Sequence, residues 1–296
     1  MNNSIALITG ASGFTGQYLI PELKSRGFRV VGLGHGVSLA DKDISCNLID
    51  ADAVISAVQQ TQPTHVVHLA AISFVGHGDP HAFYDVNLFG TLHLLEALWT
   101  LSVAPQKILV ASSANVYGTP GIDVIDESVC PAPLSHYACS KLAMEQMVRT
   151  WFDRLPIVII RPFNYTGVGQ DEKFLIPKIV SHFKRREKKI ELGNIDVSRD
   201  FSDVRDVVAA YVALLGSEIQ SEVFNVCSGQ AVPLRKVLDM MAYLTKLQLK
   251  VDVKPALIRN NEIPILCGSY HKLAQAVGFA PHYTLEDTLA WMLSKR

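Results

Sequence analysis

At 296 residues, with 49% hydrophobic and 19% charged residues and a formal net charge of -1, the chain can bury a substantial core. It carries no overall field that would attract nucleic acid or an anionic membrane, so neither is expected as a partner. No apolar run reaches the roughly 20 residues that span a bilayer, and the start "MNNSIALITG" has neither a basic n-region nor a cleavage site, so a cytoplasmic protein is expected.

Apolar runs at 5–9 (IALIT), 29–33 (RVVGL), 65–70 (HVVHLA), 107–112 (KILVAS) and 156–161 (PIVIIR) predict strands. They are apolar throughout rather than alternating, which predicts a parallel sheet covered on both faces. Segments with helical spacing lie between them, so the fold class expected is α/β, a Rossmann-type doubly wound parallel sheet. Pro21 falls inside the first helix and predicts a kink, since an interior proline costs about 3 kcal/mol. Residues 80–101 place Phe83, Val86, Leu88, Leu92, Leu95 and Leu98 three or four apart, predicting a long helix, and another is predicted over 135–152. After residue 161 the strand-helix rhythm weakens. Residues 1–164, with 203–226 returning to the same sheet, are read as one domain, and 165–202 with 227–296 as a smaller C-terminal α/β region.

Gly10, Gly13 and Gly16 in "ALITGASGFTG" stand directly after a strand and before a helix, the arrangement that binds a dinucleotide diphosphate. Gly10 permits the turn, Gly13 lets backbone approach phosphate, and Gly16 lets helix and strand pack closely. At the end of the second strand, where an acid would select NAD by binding its ribose, the chain reads Gly34-His35. The missing acid favours NADPH, with NADH remaining open because no arginine is there to bind a 2'-phosphate. His35 reads either as a phosphate contact or as a plain loop residue.

"SSANVYG" at 112–118 follows the fourth strand, placing Ser113 where ligands sit in this architecture. In "YACSK", Tyr137 and Lys141 are one helical turn apart on one face. Beside a nicotinamide, Lys141 is expected to hold the ribose and to lower the Tyr137 phenol from its usual value, so that Tyr137 exchanges a proton while Ser113 hydrogen-bonds the reacting oxygen. The five cysteines, Cys46, Cys130, Cys139, Cys227 and Cys267, are odd in number and widely spaced, as reduced thiols are, and no metal is expected. The basic run at 183–189 reads as a solvated helix end.

Taken in order, "TGASGFTG", "HLAA" at 68–71, "NLFGT" at 87–91, "SSANVYG", "YACSK" and "RPFN" at 161–164 resemble the extended short-chain dehydrogenase/reductases over essentially the whole chain. The resemblance implies a cofactor site that includes Phe14, Thr15, Leu69, Ala70, Ala71 and Pro162, with Asn47 and Leu48 near the adenine. The later motifs "RPFNYTGVGQ", "GNIDVSRDFSDVRDV", "FNVCSGQ" and "GSYHKL" look like the GDP-6-deoxy-4-keto-mannose reductases, which reduce the sugar C4 ketone to GDP-D-rhamnose or, in a related enzyme, to the epimer GDP-6-deoxy-D-talose. That branch implies Ser73 and Asn115 at the hexose and Asn164, Arg199 and Arg259 at the diphosphate. Lys178 reads as a further phosphate contact or as a solvated lysine. The dehydratases of the superfamily carry an acid two places before the tyrosine of "VYG"; here Asn115 stands there, and an amide cannot take a proton from C5 as a carboxylate does. By the same likeness the helices at 80–101 and 135–152 imply a homodimer. Two other readings stay open: a nucleotide-sugar 4-epimerase with tightly bound NAD, and a non-catalytic dinucleotide sensor.

Overall fold

The computed structural model describes residues 4–73, 78–258 and 263–295. In chain order the strands are β1 (Ile5–Thr9), β2 (Arg29–Gly34), β3 (Lys42–Ser45), β4 (His65–His68), β5 (Lys107–Ala111), β6 (Ile157–Pro162) and β7 (Asn164–Thr166). They continue with β8 (Lys189–Leu192), β9 (Ser198–Asp203), β10 (Glu222–Val226), β11 (Ala231–Pro233), β12 (Lys250–Val253) and β13 (Ile265–Leu266). The helices of the first half are α1 (Phe14–Ser25), α2 (Ala51–Thr61), α3 (Pro80–Tyr84), α4 (Gly90–Trp99) and α5 (His136–Arg149). Those of the second are α6 (Leu175–Lys184), α7 (Val204–Leu215), α8 (Leu234–Thr245), α9 (His271–Val277) and α10 (Leu285–Ser294).

Seven strands form one parallel sheet in the order β10-β6-β5-β4-β1-β2-β3. The chain therefore builds outward from β1 in one direction, then restarts at β4 and builds in the other. The crevice at the carboxyl ends of β1 and β4, where the order reverses, is the place such sheets bind ligands. Alternate residues of the same strands face two separate cores. Ile8, Val67, Leu109 and Ile160 meet Leu19 and Leu23 of α1 and Val207 and Leu214 of α7. Leu7, Val66, Ile108 and Ile159 meet Val54 of α2, Leu94 and Leu98 of α4, and Met144 and Val148 of α5. Both faces are covered, which is why these strands read as unbroken apolar runs.

A second sheet is centred on β9, parallel to β7 and β13 and antiparallel to β11. Strands β8 and β12 pair in parallel beside it, over a third core in which Ile179 and Phe183 of α6 meet Val237 of α8 and Leu289 of α10. Buried Asp200 on β9 gathers the neighbouring turns by accepting from the backbone N-H of Ser228 at 2.8 Å, Gly229 at 2.9 Å and Gly268 at 3.3 Å. No helix of the described residues is long and apolar enough to cross a membrane.

Local departures from the periodic reading have physical causes. The strand expected over 65–70 ends at His68, because Leu69 to Ser73 turn over the crevice. Helix α1 runs through Pro21 without interruption; Pro21 and Gln17 are both exposed, so the Gln17 carbonyl that loses its helical partner faces water. The helix expected over 80–101 runs without a break from Pro80 to Trp99 and contains a π-turn at Asp85–Phe89. That turn carries Asn87, whose buried side chain accepts from Ile72 N at 2.9 Å and donates to Ser140 Oγ at 3.0 Å. One side chain thus ties the loop after β4 to α5, in keeping with the frequency of π-turns at functional sites.

His68 at the end of β4 is fully enclosed between Thr9 Oγ1, 2.7 Å from its Nδ1, and Thr91 Oγ1, 2.8 Å from its Nε2. Burial first, and the Lys141 charge second, push the imidazole down to about 3. The unfolded chain binds this proton below the ordinary imidazole value of 6.5 and the folded chain does not. Stability from this group is therefore complete above that value and is lost as pH falls toward 3. His68→Gln, neutral at every pH and able to bond both threonines, is expected to lose about 2 kcal/mol less than the parent between about pH 7 and about pH 5. Urea unfolding at the two pH values measures this; equal losses would contradict a neutral His68.

Candidate active site

A cavity of about 690 Å³ opens at the carboxyl ends of the central strands, between the sheet and the segment 163–174. Its first wall is the glycine turn. Gly10 has φ +68°, donates to Leu33 O at 3.0 Å, and passes so near the next loop that a Cβ would lie 2.9 Å from the backbone of Ala70. Gly13 is the N-cap of α1 and supplies no side-chain cap, so the first-turn N-H groups remain available to an anion. Gly16 is not on the cavity wall; a Cβ there would lie 2.1 Å from the Ala11 carbonyl oxygen, so it allows the helix to close on the turn itself rather than on the strand. Phe14 stacks on Tyr165 with ring centroids 6.0 Å apart, and Thr15 Oγ1 lies 2.8 Å from Tyr165 OH, which binds this wall to β7.

Farther along, Gly34 and His35 line the cavity, and the Ser12 hydroxyl donates to the His35 carbonyl at 2.8 Å. The nearby acid on β3, Asp43, is turned to Ser38, accepting from its N-H at 2.9 Å and its hydroxyl at 2.6 Å. Asn47 and Leu48 form the end of the cavity. Leu69, Ala70, Ala71 and Ser73 supply the loop after β4, with Ala70 N donating to Thr9 Oγ1 at 3.1 Å. Pro162 closes the wall at the end of β6.

Ser113 leaves β5 as the cap of a short 3-10 turn, its hydroxyl accepting from Asn115 N at 3.2 Å. Helix α5 is capped by Ser135, which fixes the start of the helix so that Tyr137 and Lys141 both face the cavity, 7% and 3% exposed. Lys141 Nζ donates to the Ala111 carbonyl at 2.7 Å. Burial pulls its ammonium down to about 8, against the opposing charge of Glu145. The expectation that Lys141 lowers the phenol is corrected here. Burial pushes Tyr137 up to about 12, with a Ser113 hydrogen bond opposing and Tyr165 adding to the rise. Loss of hydration outweighs the Ser113 hydrogen bond, so this phenol keeps its proton at neutral pH.

Of the residues expected at a substrate, Ser73, Asn115 and Asn164 are on the cavity wall. Lys178 is not; its Nζ donates to the Glu191 carbonyl at 2.6 Å. Arg199 is also off the wall, with Nη1 donating to Ser198 O at 2.9 Å and Pro264 O at 3.3 Å. Arg259 lies outside the described residues. The wall also carries residues the sequence reading missed: Tyr165, Gln170, Asp171, Lys173, Phe174 and Tyr211. Lys173 sits in the charged tripeptide Asp-Glu-Lys, which reads as solvated loop, and Tyr211 in an apolar helix, which reads as core. In the fold the amide of Gln170 donates to Tyr165 O at 3.2 Å, and Asp171 accepts from Lys173 N at 2.8 Å, bending this segment over the cavity mouth. The Lys173 ammonium is 3.3 Å from the Asp171 carboxylate, with both groups well exposed, a pair of little energetic weight.

The donor set fits a dinucleotide. A backbone cradle that a Cβ would fill meets an uncapped helix start at one end, and a buried Ser-Tyr-Lys set stands at the other. A profile of the family described as GDP-mannose 4,6 dehydratase matches residues 7–292. The GDP-6-deoxy-D-talose 4-dehydrogenase of Aggregatibacter actinomycetemcomitans is 35% identical over 92% of this chain and 90% of its own. The GDP-6-deoxy-D-mannose reductase of Pseudomonas aeruginosa is 32% identical over 97% and 95%. A solved structure of RMD from Pseudomonas aeruginosa, complexed with NADPH, superposes with a TM-score of 0.86 at 31% identity, covering 98% of both chains. The chain belongs to the GDP-mannose 4,6 dehydratase family, within the extended short-chain dehydrogenase/reductases that act on nucleotide sugars.

Proposed function

We propose that this enzyme uses NADPH to reduce the C4 ketone of a GDP-linked 4-keto-6-deoxyhexose, giving GDP-D-rhamnose or GDP-6-deoxy-D-talose. The observation that carries the reading is the buried set of Ser113, Tyr137 and Lys141 on the wall of a cavity that extends to the glycine turn. The relatives named for GDP-6-deoxyhexoses, and RMD solved with NADPH, support the choice of substrate and cofactor. No carboxylate occupies the second strand end to oppose a 2'-phosphate, which supports NADPH over NADH.

When bound, the reduced nicotinamide supplies the hydride that the ketone carbon receives. Gly10 and Gly13 let backbone N-H groups approach the cofactor diphosphate, and the start of α1 adds its dipole. Lys141, on the cavity wall, would hold the ribose hydroxyls of that cofactor. The Ser113 hydroxyl donates to the ketone oxygen, and the Tyr137 phenol gives that oxygen its proton. Burial pushes the Tyr137 phenol up to about 12, so the proton a reduction needs is present at neutral pH but is given up less readily than from a free phenol. Asn115, in place of a carboxylate, cannot take the C5 proton and so supports reduction over dehydration. Ser73, Asn115 and Asn164 orient the hexose and decide which face of the ketone is presented. Residues 165–202 and 227–296 hold the nucleotide-sugar end, with Lys173 turning from Asp171 to the diphosphate. Phe89 and Trp99, exposed large apolar residues on the helical segment that packs against α5, support a homodimer through these helices.

Tyr137→Phe is expected to lower kcat by roughly 10²–10⁴-fold with KM little changed, measured as consumption of reduced cofactor with GDP-4-keto-6-deoxy-mannose. Turnover equal to that of the parent would overturn the assignment. Lys173→Met is expected to raise KM for the sugar nucleotide roughly tenfold while kcat holds, since it removes a charge-assisted contact made equally in ground and transition states. A fall in kcat at constant KM would place Lys173 elsewhere in the reaction.

A further inference from the structure

Directly behind the Ser-Tyr-Lys set lies a buried ion pair that these steps do not use. Glu145, 0% exposed, is one helical turn beyond Lys141 on α5; Arg161, 2% exposed, is on β6 next to the cavity residue Pro162. The guanidinium grips the carboxylate with two parallel bonds, Nε to Oε1 at 2.9 Å and Nη2 to Oε2 at 2.5 Å. The same Oε1 accepts from the Ser112 hydroxyl at 2.5 Å, and Ser112 N donates to Ile160 O at 2.7 Å. Behind the pair, the Arg161 guanidinium lies 4.8 Å from the centre of the Tyr117 ring, whose hydroxyl donates to Asn225 on β10 at 2.7 Å. The end of β5, the middle of α5 and the end of β6 are thus bolted together one residue from Ser113 and one turn from Lys141.

We propose that Glu145 and Arg161 are a positioning pair for the reaction: they hold the Ser112-Ser113 backbone in register and keep Lys141 charged on the cavity wall. A pair needed only for packing would serve as well with apolar groups of the same volume, since two buried charges recover little beyond the cost of drying them. What an apolar pair cannot supply is a fixed negative charge facing Lys141. Among the described residues, the titratable groups around that ammonium are Glu145 and Tyr137 on its own helix, His68 from β4, and Arg161 from β6 behind Glu145. On the helices packed against α5, Asp85 is exposed and His93 is engaged with the Leu48 carbonyl at 2.9 Å. His68 is neutral and Tyr137 is protonated at ordinary pH, so Glu145 is the anion that sustains the Lys141 charge against burial.

The catalytic meaning of the pair rests on the proposed reductase, but its test does not. In protein carrying 13C-labelled lysine, the Cε resonance of Lys141, assigned by its loss in Lys141→Arg, is followed against pH. The parent is expected to titrate near 8. The double variant Glu145→Gln/Arg161→Met leaves no unpaired charge and keeps an acceptor for the Ser112 hydroxyl, and its Lys141 midpoint is expected to fall by about one unit. Ser112→Ala leaves both charges in place, and its Lys141 midpoint is expected to match the parent. A midpoint unmoved in the double variant, whatever its stability, would reduce the pair to a packing device and overturn the proposal. Absence of turnover on GDP-4-keto sugars in the parent would count against the reductase alone and leave this titration intact.

Discussion

The Lys141 ammonium is buried against the Ala111 carbonyl, and the site is organised around that contact. It joins the first turns of α5 to the carboxyl end of β5, so the helix cannot slide along the sheet without stranding a charge in an apolar interior. Tyr137 then stands one turn nearer the cavity, Glu145 one turn farther back, and Ser112 and Ser113 directly after the carbonyl that holds the lysine. His68 on the neighbouring strand is kept neutral by the same enclosure and by the same positive charge. The polar floor of the cavity is thus one coupled arrangement, in which few groups change alone.

A second constraint comes from topology. Because the sheet order reverses between β1 and β4, the turn after β1 and the loop after β4 must pass each other closely, and Gly10 makes this possible by having no Cβ to meet Ala70. The crevice so formed is roofed by the segment 163–174, tied to the glycine turn through Phe14, Thr15 and Tyr165. The glycine turn and the segment 163–174 therefore share one wall of the cavity.

The strands, the glycine turn and the Ser-Tyr-Lys set were legible because each leaves a local pattern: apolar runs, glycines between strand and helix, two residues one turn apart. What those patterns cannot report is environment. The spacing of Tyr137 and Lys141 places them on one face but does not say how deeply the face is buried, and burial reverses the expected shift of the phenol. Lys178 reads as a phosphate contact or a solvated lysine and Arg199 as a diphosphate contact; both donate to backbone carbonyls and neither lines the cavity, while Lys173 lines it from a stretch that reads as solvated loop. The π-turn at Asp85–Phe89 was invisible to a reading based on helical period, since one added residue per turn changes the face of Asn87 without disturbing the apolar stripe around it.

Tyr137 is held in this cavity as a protonated phenol at neutral pH. In protein carrying tyrosine labelled with 13C at Cζ, its resonance, identified by its loss in Tyr137→Phe, reports ionisation directly. Burial that pushes the phenol up to about 12 predicts that this resonance stays at its phenol position through about pH 10. Movement to the phenolate position with a midpoint near neutral pH would contradict the account.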